Sequence, residues 1–434
     1  MDRRLLLRGV HLLEAPGQPE RLADVRLDGE RLIAVEAEGA AAMEGWIEID
    51  AHSCWFAPPL VDPHSTLEDP VGGRAETLTS LRAAAAAGGY DTVALLPWAS
   101  SWRDRPDRLG LHWPAPMELL CWGAFSSEGS DADLAPHADQ LEAGAVGVAS
   151  GDHLPPLDLL ERGLRLAETG DRPLLLAVRD AALAQQGFVR ERVEALRAGW
   201  PLDPIVSELL PLESLLALAA ALPLPGLRLM NLTTAEGVER LGRCPSPPPA
   251  SVPWWHLVAD SGRLDPADEG WRQVPALGGP QDRQALVAAL ADGRLTAVAV
   301  HHQALDAEER LLPLDQRRPG MAGHGHVLPL LWRELVTGCG WSALQLWQVL
   351  CWGPERFLGL KERPLEIGGR RWLLFDPTAD PAPGSPGSLA ANPPPLPADL
   401  RGAVVASGFS EPASWSLPGA PSHGRGRSAK RPGR

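Results

Sequence analysis

Lysine is nearly missing from this sequence. Lys361 and Lys430 are the only two, so 38 of the 40 basic residues are arginine, and any mechanism that needs a lysine before residue 361 is excluded. The accompanying richness in Ala, Pro and Gly fits a coding bias. Cysteine is also scarce: Cys54, Cys121, Cys244, Cys339 and Cys351 are an odd number at wide spacings, with no Cys-x-x-Cys pair. Free buried thiols are expected, and neither a disulfide framework nor a zinc ribbon. Long apolar runs are lacking as well. In the leucine-alanine region the longest stretch free of charge and proline is 214–222, far short of the roughly 18 residues of a membrane span, so no transmembrane helix is expected. The apolar run in 1–9 is too short for a signal peptide and reads as a first strand, which makes a cytoplasmic location the expectation. No Gly-x-Gly-x-x-Gly, Gly-Lys-Ser/Thr or Gly-x-Ser-x-Gly pattern occurs, so Gly72-Gly73 and Gly88-Gly89 are turn glycines. Positive charge is in deficit, 40 basic against 55 acidic residues, a net charge of -15 that argues against nucleic acid as a partner of the folded body.

What is present describes a globular chain. It has 434 residues, 44% hydrophobic and 22% charged, enough for one large domain and a small one. Residues 1–56 carry short apolar segments (5–10, 23–27, 31–37, 46–49) broken by Asp28-Gly29 and other turn signals, which predicts a small β domain with hairpins. From residue 57 to 361, strand-like runs at 60–62, 92–96, 173–178, 227–232 and 297–300 alternate with Ala/Leu-rich helices at 75–87, 157–169, from about 234, and 281–292. Repeated strand-helix units predict a (β/α)8 barrel. Residues 362–410 return to strands at 365–369, 372–375 and 401–405, which pair most simply with the N-terminal set in one flanking β domain. Residues 411–434 form a basic tail with Arg425, Arg427, Lys430, Arg431 and Arg434 and no acid after Glu411, and read as disordered.

Residues 57–70, Ala-Pro-Pro-Leu-Val-Asp-Pro-His-Ser-Thr-Leu-Glu-Asp-Pro, resemble the first barrel strand of the amidohydrolase superfamily, specifically its dihydroorotase branch. That branch ends the strand with His-x-His, so that both imidazoles reach one metal, followed by Leu-Arg-Glu-Pro-Gly. Here His64 stands at the first histidine, Thr66 at the second, and Glu68 at the arginine that would grip a substrate carboxylate. The likeness runs through about 1–405 with the scaffold kept and the active positions changed. Trp98 replaces the substrate-binding Asn of the family's Pro-Asn. Ser150 lies where the bridging carboxylate belongs: a carboxylated lysine is excluded, and Asp152 would need a register shift. Ala177 and Arg179 occupy a histidine and a glutamate position, and Arg228 and Asn231 two histidine positions. In 293–310, His301 stands at the metal-binding, proton-moving aspartate and Leu305 at the last histidine, while His302 is kept. Gly325 and His326 fall at the Glu-Thr of a substrate loop.

The resemblance implies a pseudo-dihydroorotase, with no cofactor expected. Metal lowers the pKa of bound water from 15.7 to about 7, and losing that forfeits up to about 12 kcal/mol of nucleophile activation at 1.36 kcal/mol per unit. Some bacterial homologues of the family that lack metal ligands associate with aspartate transcarbamoylase, so that enzyme is the expected partner, with a homo-oligomer as a further expectation. The alternative is an active dihydroorotase or related cyclic amidohydrolase, in which zinc is held by a rearranged site of His64, His302, His324 and His326. Against it, no carboxylate base accompanies these histidines at the matching positions, and adjacent His301 and His302 on a strand would face opposite ways, so at most one faces the mouth. Trp254-Trp255 replace a Pro-His-His pattern, and their rings are expected either to fill the old pocket or to pack in the core.

Overall fold

The computed structural model describes residues 4–222, 224–263, 272–313, 315–381, 384 and 386–418. The first strand, Arg4–Leu12, buries Leu5, Leu6, Leu7, Val10 and Leu12 and pairs antiparallel with Arg21–Asp28. That strand turns through Gly29, which takes a φ of 56°, into Arg31–Ala37. On the other side of the first strand lie Ile47–Asp50 and Trp55–Ala57, both parallel to it. Leu373–Asp376 then adds antiparallel to Trp55–Ala57, and Ala403–Ser407 antiparallel to Leu373–Asp376. Both halves of the chain therefore share one seven-stranded sheet, with Val10, Val25, Phe56, Trp372 and Leu374 in its own core.

Leu60–Ser65 opens the barrel, parallel to Tyr90–Leu95, which is parallel to Glu118–Cys121. After an interruption at Trp122 the ring continues through Gly123–Ala124, Val148–Ala149, Leu174–Ala177 and Leu227–Met230. A bridge from Leu229 to Ala250 leads to Ser251–Pro253, which pairs with Ala297–Ala299. The ring closes where the His301 N–H donates to the His64 carbonyl (3.1 Å) and the Thr66 N–H to the His302 carbonyl (2.9 Å). With the interrupted strand taken as one, this is an eight-stranded parallel barrel with helices between the strands. The strands are apolar on both faces because helices cover the outside and side chains fill the inside.

Local chemistry sets the element ends. The helix expected from residue 75 begins at Leu78, because the Thr77 hydroxyl accepts the Ser80 N–H (3.2 Å) and Ser80 Oγ accepts the Thr77 N–H (2.9 Å). The helix expected over 157–169 is Leu157–Leu166, stopped by Ala167 at a φ of 53°. Residues 365–369 were expected as a strand and are not one: Gly368, at a φ of 82°, turns the chain, and the segment is tied to the sheet by the Gly368 N–H on the Leu32 carbonyl (2.6 Å), the Leu32 N–H on the Gly369 carbonyl (3.0 Å) and Arg31 on the Gly368 carbonyl (2.8 Å). Cys54, Cys121 and Cys351 are buried as expected, but Cys244 is half-buried and Cys339 is exposed. The basic tail lies outside the described residues from position 419 onward. Among the described residues no helix is long and apolar enough to cross a membrane.

One buried knot joins successive barrel units. Glu208, on the helix Val206–Ala221, accepts the backbone N–H groups of Thr233 and Thr234 (both 3.0 Å) and their hydroxyls, so it caps the helix Ala235–Gly242 from outside. It also pairs with Arg190 at 3.0 Å, and neither side chain is exposed to solvent. Arg190 also pairs with buried Asp203 at 3.1 Å, so what Glu208→Ala strands is the buried N–H groups of Thr233 and Thr234, at an expected cost of about 1–3 kcal/mol each and about 2–6 kcal/mol together. Urea unfolding of the variant against the parent measures this, and a cost below 1 kcal/mol would show that the knot is dispensable.

Candidate functional site

Alternate residues of Leu60–Ser65 point the same way, which places Asp62 and His64 together inside the barrel mouth, both fully buried. Asp62 Oδ1 accepts the Val300 N–H (3.0 Å), while Oδ2 accepts the Ser65 hydroxyl and lies 2.9 Å from His324 Nε2. His64 Nδ1 sits 3.2 Å from His301 Nδ1, and its Nε2 2.8 Å from Ser251 Oγ. The two rings meet edge-on. Burial, reinforced by the neighbouring His301, holds His64 well below the ordinary histidine range. Burial pushes His301 down to about 4, against the pull of Asp62. The pair is neutral at physiological pH.

His301 and His302 do not lie on a strand. The strand stops at Ala299, and His301 has a left-handed φ of 47°, so strand alternation no longer governs these side chains. The His301 ring turns toward His64 and stands edge-on to Trp98 at 5.9 Å. His302 instead lies 3.1 Å from the Glu76 carboxylate, with its ring 5.0 Å from that of His324. Desolvation would raise Glu76, but His302 and the Ser388 hydroxyl hold it below the usual carboxylate range. Of the four histidines considered as an alternative ligand set, His302 and His324 are therefore neighbours. His64 faces His301 and Ser251, and His326 Nε2 donates to the Gly384 carbonyl at 2.6 Å.

Thr66 Oγ1 donates to the His302 carbonyl (2.7 Å), and Ser150 Oγ donates to the Gly151 carbonyl (3.0 Å) while accepting the Ala177 N–H (3.0 Å). Asn231, at a φ of 59°, donates its N–H to Ser251 Oγ (3.1 Å). Trp98 Nε1 donates to the Ser150 carbonyl (3.0 Å). Trp98, Ala177, Asn231 and His301 enclose a chamber of only about 10 Å³, room for one water molecule. Trp98 is the ring that lines both this chamber and the cleft outside it. Trp254 and Trp255 belong to the main core and line neither this chamber nor the cleft outside it. Among the described residues, no group of three or more His, Cys, Asp or Glu side chains is arranged to hold a metal ion.

Outside Trp98 opens a cleft of about 680 Å³. Glu68 lines it and is paired: Arg318 bridges Glu68 (3.0 Å) and Glu309 (2.5 Å). His153 stands between Asp131 (2.9 Å) and Asp152 (2.8 Å), which raise it to about 9, and Asp152 also takes a hydrogen bond from Arg179 (3.0 Å).

The chain is 31% identical over 395 residues to a "Probable dihydroorotase-like protein" of Synechocystis sp., a match covering 82% of this chain and 88% of the relative. It belongs to the dihydroorotase-like family. A dihydroorotase of Thermus aquaticus is 28% identical over 397 residues, covering 87% of this chain and 91% of that one. No family model matches. Among solved structures, the L-hydantoinase (dihydropyrimidinase) of Arthrobacter aurescens superposes with a TM-score of 0.75 at 17% identity, over 95% of this chain and 96% of that one. The dihydropyrimidinase of Brevibacillus agri gives 0.73 at 17%, over 93% of each. Such likeness carries the fold, a barrel with a flanking β domain.

In this dihydroorotase-like chain the residues that sequence reasoning passed over are Asp62, Ser251 and Arg318. Asp62 lay inside the quoted motif without a role, and its spacing of two from His64 was the available signal. Ser251 and Arg318 gave none.

The buried neutral histidines predict acid sensitivity. Unfolding returns His301 from about 4 to about 6.5. The unfolded chain therefore takes up the proton first, and stability present above about pH 6.5 is lost as pH falls toward 4, by on the order of 3 kcal/mol for His301 alone. Urea titrations at pH 7.5, 5.5 and 4.5 should show this slope, and His301→Gln should reduce it, leaving the share carried by His64 and by His256, which burial likewise holds at about 4. An equal slope in the variant would place the proton uptake elsewhere.

Proposed function

We propose that this dihydroorotase-like chain neither cyclises carbamoyl aspartate nor opens dihydroorotate, and serves as a structural or regulatory partner of aspartate transcarbamoylase. The observation that supports the first half is the chemistry of the barrel mouth. A hydrolytic zinc takes three protein ligands and keeps a fourth position open. Here Ala177 offers no donor atom, the Thr66 and Ser150 hydroxyls are spent on backbone carbonyls, and both His64 nitrogens are engaged. These residues do not fit a catalytic metal, and the chamber beside Trp98 has room for only one water molecule.

The assay is turnover of dihydroorotate and carbamoyl aspartate with added zinc or manganese over a wide pH range, alongside elemental analysis of protein purified without chelator. Absence of turnover and well under one zinc per chain are expected. The second reading, a cyclic amidohydrolase with a rearranged site, draws support from the cleft beyond Trp98, whose volume suits a small ligand. Metal-dependent turnover that His302→Ala abolishes would make it the better account.

The partnership follows from a scaffold kept while its chemistry changed: an outer surface with a use is the simplest reason to keep it. A specific complex should bury on the order of 1,200 Å² or more. It should survive His64→Ala and His302→Ala, since both side chains are buried in the mouth and off any docking face. Co-expression with the host's own transcarbamoylase followed by size-exclusion chromatography tests this. Separate elution at micromolar concentration, with neither protein changing the other's melting temperature, would remove the proposal's support.

A further inference from the structure

The cleft outside Trp98 is wide enough for a drug-sized molecule, and its walls are unevenly charged. Six carboxylates line it: Glu68, Asp69, Glu76, Asp152, Asp306 and Glu309. Against them stand two guanidiniums and the His153 imidazole, itself clamped between Asp131 and Asp152. Neither arginine is available to an incoming anion. Arg318 is shared between Glu68 and Glu309, and Arg74 between Asp306 (3.8 Å) and Glu308. Asp69 accepts only the Val71 and Gly72 N–H groups (3.0 and 2.9 Å) and pairs with no cation among the described residues. Trp98 and Trp102, both half-buried, supply flat apolar wall beside these oxygens.

Excess carboxylate in a concave, partly desolvated space focuses a negative potential, and indole faces add attraction for a cation. We propose that this cleft is a binding site for a small organic cation with a flat body, an aromatic or conjugated amine, amidine or guanidine, and that it discriminates against carboxylates. The site rests on the reading of the barrel mouth as non-catalytic, because a working hydrolase would need the same space for its anionic substrate.

Three probes of one shape and different charge test this: benzamidine, benzamide and benzoate, each titrated calorimetrically into the full-length protein at low ionic strength. Benzamidine is expected to bind one per chain, at least about tenfold tighter than benzamide, a gap of about 1.4 kcal/mol. Benzoate should give no heat, and added salt should weaken benzamidine. Glu68→Arg should lower benzamidine affinity about tenfold and bring benzoate above benzamide, in line with the sign change at one wall. If that variant loses its native circular dichroism, Glu68→Gln should still weaken benzamidine about threefold or more. Benzoate or benzamide binding as well as benzamidine, no benzamidine binding at millimolar concentration, or affinity indifferent to Glu68 would overturn the proposal. Dihydroorotate turnover is a separate measurement: its appearance would defeat the non-catalytic reading, while the order of the three probes judges the cleft.

Discussion

The mouth of the barrel hangs on the Asp62 carboxylate. A buried charge is tolerable only when its oxygens are supplied with donors, and Asp62 draws them from the first strand (Ser65), from the end of the last (Val300) and from the loop that carries His324. One side chain thus fastens the barrel seam and the rim together. The His324 loop reaches this position because Gly88 lies beneath it, where any Cβ would strike the His324 carbonyl. His64, Thr66, His301 and His302 all sit on the seam that Asp62 ties, which is why their backbone groups bond to one another across it.

Charge is sorted by depth. Inside Trp98 the titratable rings His64 and His301 are neutral, held so by burial; the His64 nitrogens are met by His301 and Ser251, and His301 also bonds the Val274 backbone. Outside Trp98 His153 stands between two aspartates and Arg318 between two glutamates, while Asp69 meets only backbone N–H groups. The indole is the boundary, with its Nε1 anchored on the Ser150 carbonyl. A low-dielectric interior and a wet exterior separated by one ring explain how histidines a short distance apart come to sit on opposite sides of the ordinary imidazole range.

The repeating apolar strands and Ala/Leu helices were legible in the sequence because each is a local pattern, and Asp28-Gly29 and Thr234 marked a hairpin and a helix start for local reasons. The strand expected at 365–369 failed because Gly368 overrides a short apolar run. The mouth was legible only as a set of changed residues. That Glu68 shares Arg318 with Glu309 depends on a contact 250 residues away in the chain, which no window of sequence reports. The opposite-facing rule for His301 and His302 was sound for a strand, but the left-handed turn at His301 ends the strand first. Trp254-Trp255 drew attention as a doublet, yet the ring that walls the chamber is Trp98, placed there by the third dimension.

The shared sheet has a consequence for the order in which the molecule can be made. Trp55–Ala57 is hydrogen-bonded on one edge to the first strand, but its other edge waits for Leu373–Asp376, more than 300 residues later in synthesis. A ribosome extending the chain at about 5–20 residues per second leaves that edge, and the apolar face containing Phe56, open for tens of seconds while the whole barrel emerges. An unpaired strand edge over that interval is a template for another nascent chain. The brevity of Trp55–Ala57, three residues, limits how many hydrogen bonds such an encounter could make before its proper neighbour arrives.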